Sequence, residues 1–221
     1  MRAIVCRDWG DPENLELGEL PEPALGPGQV RIRMRAAGVN FADCVLVRGQ
    51  YQEKPELPFA PGLEGAGEIM EVGDGVSDFK PGDRVMAVVS AGAYAEQAVC
   101  EATTVFHTPD GMDDITAAAF PVAYGTSHLA LVHRAQLKAG ETVLVLGAGG
   151  GVGLMAVECA KALGATVIAA ASTPEKLELA RARGADHLIN YADEDLRPAL
   201  RKITDGNGVD VVYDPVGGEV A

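Results

Sequence analysis

The residues best suited to chemistry lie in Thr142–Gly153, TVLVLGAGGGVG. An unbroken apolar run, Val143 to Leu146, leads into glycines at 147, 149, 150, 151 and 153, and Leu154–Leu163 (LMAVECAKAL) follows as a helix. A buried strand, a glycine turn and a helix in that order form an anion site. Glycine lets the backbone approach a pyrophosphate, and the helix N-terminus aims unpaired N–H groups at it. The register that fits is Ala148-x-Gly150-x-x-Gly153, with alanine in the first place. Ala148, Gly150, Gly151, Val152 and Gly153 are therefore the candidate pyrophosphate residues. The competing account is a glycine turn kept for packing alone. Against it, a second strand, Thr166–Ala171, begins thirteen residues after Gly153, the beat of a βαβ unit.

The end of that second strand bears on which dinucleotide fits. NAD sites place Asp or Glu there, about 20 residues beyond the glycine loop, on the ribose 2′-OH. Here Ser172 and Thr173 hold the position, and Lys176 follows in the first turn of the next helix, where a cation works against the helix dipole. A missing acid and a nearby cation suit a 2′-phosphate, hence NADPH. A solvated lysine is the plainer account of Lys176, and Glu175 is the residue that would compete for a ribose hydroxyl.

These groups need elements to position them. At 221 residues and 48% apolar content the chain has ample core for one large or two small domains. Residues 1–120 read as β-rich: Ala3–Cys6, Val30–Ala37, Gly65–Val72, Arg84–Val89 and Ala93–Val99 are strands, separated by turn signals at Gly73–Gly75 and Lys80–Asp83. In Val30–Ala37 the alternating Arg31, Arg33 and Arg35 read as a solvated face. The pattern changes near residue 113, with helices at Asp113–Phe120 and Ser127–Ala135. From Thr142 strands and helices alternate, adding a helix from Pro174 to Arg183, a strand at His187–Asn190, a helix at Glu194–Ile203 and a strand at Val209–Tyr213. The expected class is α/β: a small β-rich barrel or sandwich over 1–120, then a doubly wound Rossmann domain over 121–221. A complete fold of the second kind has six strands and only four are counted here, so the expectation is a chain cut short after its fourth strand.

A net charge of −14 argues against nucleic acid or an anionic membrane as a partner. No apolar run approaches the ~20 residues of a membrane span, and the N-terminus lacks a signal-peptide core, so the expected location is cytoplasmic. The four cysteines have no C-x-x-C spacing, and the four histidines share no ligand spacing. No metal is expected.

Several stretches in order, AAGVNFADCVLVRGQY (36–51), PFAPGLEGAGEIMEVG (58–73), GDRV (82–85), GAYAE (92–96), the glycine loop, INY (189–191) and VVYDPVGG (211–218), resemble the medium-chain dehydrogenase/reductase superfamily, and within it the zinc-free quinone oxidoreductase (zeta-crystallin-like) branch. The resemblance implies that the first domain is a GroES-like barrel. Zinc-dependent relatives carry ligands where this chain has Asn40, Leu63 and about Ala118. An amide, an aliphatic and a methyl group cannot form a zinc site, which removes the usual activation of an alcohol.

The resemblance further implies that Lys176 and Tyr191, with Ser172, hold the 2′-phosphate of NADPH. Asn40 would hydrogen-bond the nicotinamide ribose or a substrate carbonyl, Tyr51 would line a quinone pocket, and Thr126 would stand near the nicotinamide, the three lining a cleft where hydride passes. Each has a plainer account: a turn cap for Asn40, a half-buried loop aromatic for Tyr51, a helix N-cap for Thr126. Asp43 is read as a structural acceptor in the loop after Asn40. The implied activity is an NADPH-dependent reductase acting on a quinone or related enone, by positioning rather than by metal, with a homodimer as the implied full-length assembly. The alternatives are an enoyl-thioester (acyl-CoA-type) reductase of the same superfamily and a non-catalytic NADPH-binding protein.

Overall fold

In a computed structural model, which describes residues 1–218, the chain divides into two compact units, Met1–Val122 and Ala123–Ala221.

The first unit is built on β-structure. Strands β1 (Arg2–Val5) and β2 (Glu16–Glu19) form an antiparallel pair. The main sheet is antiparallel with five strands in the order β6-β3-β4-β5-β7, where β3 is Gln29–Ala37, β4 Glu64–Val72, β5 Arg84–Val88, β6 Gln97–Glu101 and β7 Val105–His107. Its core side takes Val30, Ile32, Ile69, Val85 and Ala87, the apolar half of a period-2 alternation. The opposite half is the expected solvated face at Arg33 and Arg35, which are exposed, and departs from it at Arg31. Arg31 is largely covered, paired to Glu71 at 3.0 Å and donating to the Pro23 carbonyl at 2.9 Å, and Arg35 faces Glu68 at 3.5 Å. Glu71 lies directly opposite Arg31 in the β3–β4 ladder, which explains that pairing, whereas Glu68 stands opposite Arg33 and is reached by Arg35 from two residues along.

Three local differences from expectation have local causes. The strand placed at 93–99 forms later, as β6, and β2 and β7 are too short to show a period. A helix, α1 (Phe41–Val47), forms where a loop was expected. Its start is stabilised by the Asp43 carboxylate, which accepts the Asn40 backbone N–H at 2.7 Å, one half of a capping box. Helix α2 (Asp114–Ala118) begins at Asp113, whose side chain accepts from the Thr116 N–H.

Helix α3 (Pro121–His128) winds on into a π-helical turn, Leu129–Arg134, in which the Ala135 N–H reaches back five residues to the Ala130 carbonyl. The second unit then alternates β8 (Thr142–Leu146), α4 (Gly151–Ala162), β9 (Thr166–Ala171), α5 (Pro174–Ala182), β10 (His187–Asn190), α6 (Leu196–Ile203) and β11 (Val211–Tyr213). All pairings are parallel, in the order β10-β9-β8-β11. The chain moves outward from β8 to β10, then returns to the other side of β8, which makes β8 the switch point of a doubly wound sheet. Val143 and Val145 pack on one face with Ala156, Val157 and Ala160 of α4. Leu144, Leu146 and Ile168 pack on the other with Ala199 of α6. A strand buried on both faces reads as a continuous apolar run, which is why β8 and β9 were visible as such. Helix α4 starts three residues earlier than expected, because Gly151–Gly153 are themselves helical.

Candidate functional site

Two groups of residues answer to the sequence expectations, one in each unit. In the second unit the turn after β8 carries the glycines. Gly147 adopts the left-handed conformation, φ 58°, and turns the chain back over the strand end. A Cβ on Gly153 would lie 2.3 Å from the Gly147 carbonyl oxygen and 2.9 Å from the Ala148 Cα, so only glycine lets the first turn of α4 pack this closely on the loop. A Cβ on Gly149 would lie 2.4 Å from the Lys176 Cβ. By contrast a Cβ on Gly150 meets only the Gly147 oxygen at 3.4 Å, and one on Gly151 meets nothing within 4 Å. Both are exposed, at the start of a twelve-residue helix. The loop is thus close-packed behind and open in front, the shape of a cradle that a dinucleotide pyrophosphate fits. Ala148 is buried in the core, so its contribution to the cradle is backbone only. Val152 is half-buried.

The open side is bordered by the residues expected at the ribose. Lys176 lies against Gly149, and its ammonium is 3.4 Å from the Ser172 hydroxyl. Thr173 caps α5, its hydroxyl accepting from the Lys176 N–H, with Pro174 at the first helical position. Asn190 pairs with Ala171 across β10 and β9, so Tyr191 and Ser172 leave neighbouring strand ends together, and the Tyr191 N–H donates to the Ala171 carbonyl. The sheet therefore gathers Gly149–Gly151, Ser172, Lys176 and Tyr191 at the carboxyl ends of β8, β9 and β10, where open α/β sheets bind ligands. Glu175, the competing acid, is held below its usual range by its own backbone N–H and by the Thr173 hydroxyl.

Ser127, which sequence reasoning missed, supports the cradle from below. Its hydroxyl is fully buried and lies 2.9 Å from both the Ala123 and Val152 carbonyls, with the Tyr213 hydroxyl 3.4 Å away. One hydroxyl proton serves one carbonyl at a time; given to Val152, it ties α3 to the first turn of α4, and given to Ala123 it stays within α3. Its neighbour Thr126 is exposed in the interior of α3. That overturns the N-cap account of Thr126, because the helix starts five residues earlier, at Pro121.

In the first unit, Asn40 stands just before α1 and Tyr51 beyond its far end, so the helix separates them. Tyr51 is half-buried on the cluster of Cys6, Leu46, Val47, Phe59 and Leu63. Asn40 is held by two buried carboxylates. Its backbone N–H goes to Asp43, and its side-chain amide donates to Glu64 Oε1 at 2.8 Å. Asp43 Oδ2 also accepts the Tyr94 hydroxyl at 2.9 Å. Asp43 is 4% and Glu64 1% exposed. Burial raises both carboxyls above their usual values, against the opposing pull of their hydrogen bonds, and burial beside Asp43 raises the Tyr94 phenol. Glu64 and Tyr94 were not singled out from sequence. The only available signal for Glu64 was that it is one of two acids, with Glu68, in an otherwise apolar stretch, LEGAGEI (63–69). Leu63 and Ala118, at positions where zinc-dependent relatives place ligands, are buried among apolar side chains. Among the described residues no three His, Cys, Asp or Glu side chains are grouped to hold a metal, and no helix is long and apolar enough to cross a membrane.

Comparison with known proteins agrees with this architecture. Residues 26–110 match the family model of the alcohol dehydrogenase GroES-like domain, and residues 151–221 that of the zinc-binding dehydrogenase. A quinone oxidoreductase-like protein 2 from Mus musculus is 44% identical over 99% of this chain, and the chain spans 62% of that protein's length. A quinone oxidoreductase from Pseudomonas aeruginosa is 43% identical over 98% of the chain, which spans 66% of it. The crystal structure of Escherichia coli quinone oxidoreductase complexed with NADPH superposes with a TM-score of 0.92 at 35% identity, covering 99% of this chain and 67% of that one. With a GroES-like β-domain leading into a doubly wound dinucleotide fold, the chain belongs to the quinone oxidoreductase group of the medium-chain dehydrogenase/reductase superfamily.

Proposed function

We propose that the chain carries the binding machinery of an NADPH-dependent reductase that delivers hydride to a quinone or related activated enone without zinc. The observation that carries the reading is Lys176 packed against Gly149 beside Ser172, with no carboxylate at the end of β9. A lysine held there adds a positive charge next to the pyrophosphate cradle, on the side where a 2′-phosphate would project. Gly150, Gly151, Val152 and Gly153, with the backbone of Ala148, take the pyrophosphate; Ser172, Lys176 and Tyr191 take the 2′-phosphate. Asn40 and Tyr51 of the first unit and Thr126 of the second are the residues assigned to the nicotinamide and the acceptor. When bound, the reduced nicotinamide supplies the hydride. The chain's own residues bind, orient and exclude water, so catalysis is mainly positioning. Zinc independence is supported by Asn40, Leu63 and Ala118, none of which is a zinc ligand type. A cytoplasmic homodimer, tested by sedimentation, belongs to the same reading.

The experiment is a fluorescence titration with NADPH and NADH on the protein and on Lys176→Ala. The parent is expected to bind NADPH more tightly. The variant is expected to lose about tenfold in NADPH affinity, the scale of one charge-assisted hydrogen bond, with NADH binding unchanged. A parent that prefers NADH, or a variant that loses both cofactors equally, overturns the assignment. NADPH oxidation with 1,4-benzoquinone and with a simple enone then tests the reaction, and tight NADPH binding without turnover on either would indicate a non-catalytic binder.

A further inference from the structure

We propose that Glu64 is a positioning residue for Asn40. Its buried carboxylate fixes which end of the Asn40 amide is turned inward and so sets the group that Asn40 offers to nicotinamide or acceptor. The inference rests on the reading above for the purpose of that offer, but the clasp itself stands on geometry. Glu64 is 1% exposed and faces two donors, the Asn40 side-chain NH2 at 2.8 Å on one oxygen and the Val122 backbone N–H at 2.8 Å on the other. Neither of these contacts accepts a proton, so the surroundings are built for the ionised acid, and Asn40 must turn its NH2 toward it because its carbonyl oxygen would face an anion.

The enclosure is tight. A Cβ on Gly38 would lie 2.3 Å from Glu64 Oε1 and 2.7 Å from its Cδ, so a side chain at 38 would push the carboxylate off Asn40. Asp43, meanwhile, takes the Asn40 backbone N–H. One carboxylate thus holds the backbone of Asn40 and the other its side chain. A buried carboxylate is costly to keep, and an apolar residue would fill the same space in β4. What the charge adds is a partner for the Val122 N–H and the orientation of one amide, held from a strand rather than a loop.

The test uses the intact protein with NADPH and 1,4-benzoquinone, on Glu64→Gln, Asn40→Ala and the double variant. Glu64→Gln is expected to lower kcat about tenfold, the scale of a misplaced active group, with the KM for NADPH little changed. In the Asn40→Ala background the same substitution is expected to do almost nothing further, since residues acting through one another are not additive. Losses that simply multiply overturn the proposal. A second readout is independent of turnover: hydrogen exchange of the Asn40 side-chain amide by NMR, expected to speed up in Glu64→Gln and to overturn the clasp if unchanged. If Asn40→Ala leaves turnover intact, the functional role of Asn40 fails, and the amide exchange alone then decides for or against Glu64. Should Glu64→Gln not fold, Glu64→Asp, which keeps the charge but withdraws it by one methylene, is read in the same two ways.

Discussion

Substituting alanine at two neighbouring glycines, Gly153 and Gly150, separates what the loop does for the fold from what it does for a ligand. At Gly153 the new Cβ would stand 2.3 Å from the Gly147 oxygen, whereas real Cβ contacts essentially never fall under 3.0 Å. The loop or the first turn of α4 must therefore retreat by at least 0.7 Å, the difference of those two distances. Both obstructing groups are backbone, Gly147 and Ala148, and Ala148 is itself buried in the core that holds β8 to α4. Overpacking of this kind costs about 1–3 kcal/mol, which for a domain of this size lowers the melting temperature by about 4–8 °C per kcal/mol. At Gly150 the Cβ meets only one atom, at 3.4 Å, so the fold loses no more than about 1 kcal/mol from a poorer N-cap. That methyl group instead fills the open front of the cradle, and NADPH affinity is expected to fall about tenfold or more, since the second glycine of such loops admits the pyrophosphate. Urea denaturation and NADPH fluorescence titration on each variant give the two readouts. If Gly153→Ala proves as stable as the parent, the close-packing account of the loop is wrong. If Gly150→Ala binds NADPH normally, the pyrophosphate does not use this helix N-terminus.

Two further expectations concern the first unit. Glu64 has its carboxyl raised by burial from an ordinary value of 4.5, so the folded state holds its proton to higher pH than the unfolded chain, and stability falls as pH climbs from 4.5 through the raised value. The stability of the parent relative to Glu64→Gln should therefore decline over that window and then level off, as measured by urea melts at stepped pH; the opposite slope would mean that hydrogen bonding outweighs burial at Glu64. Tyr94→Phe removes the hydroxyl that donates to Asp43 at 2.9 Å, and with the acceptor 4% exposed the loss is expected to be about 1–3 kcal/mol; a change under half that would show that water or a rearranged donor takes its place.

Much of the second unit was written locally. The apolar runs of β8 and β9, the glycine turn, Thr173 and Pro174 at the head of α5, and the short strand His187–Asn190 are all local signals. A strand buried on both faces, a turn needing φ > 0 and a helix start each constrain only a few adjacent residues. The absence of an acid at Ser172 and the presence of Lys176 were equally legible, because the βαβ unit fixes where the second strand must end. Helix α1 was not legible: seven residues are too few to establish a 3.6-residue period, and its start depends on the Asp43 carboxylate, which reads equally well as a loop acceptor. Still less could the sequence indicate that Glu64 meets Asn40, 24 residues away, and Val122, 58 residues away, or that Ser127 braces Val152 and Lys176 covers Gly149. Those contacts join elements distant along the chain, and they form only when the sheets bury their faces. Composition and spacing say which groups are available, whereas burial decides which polar groups must find a partner, and so which partners they find.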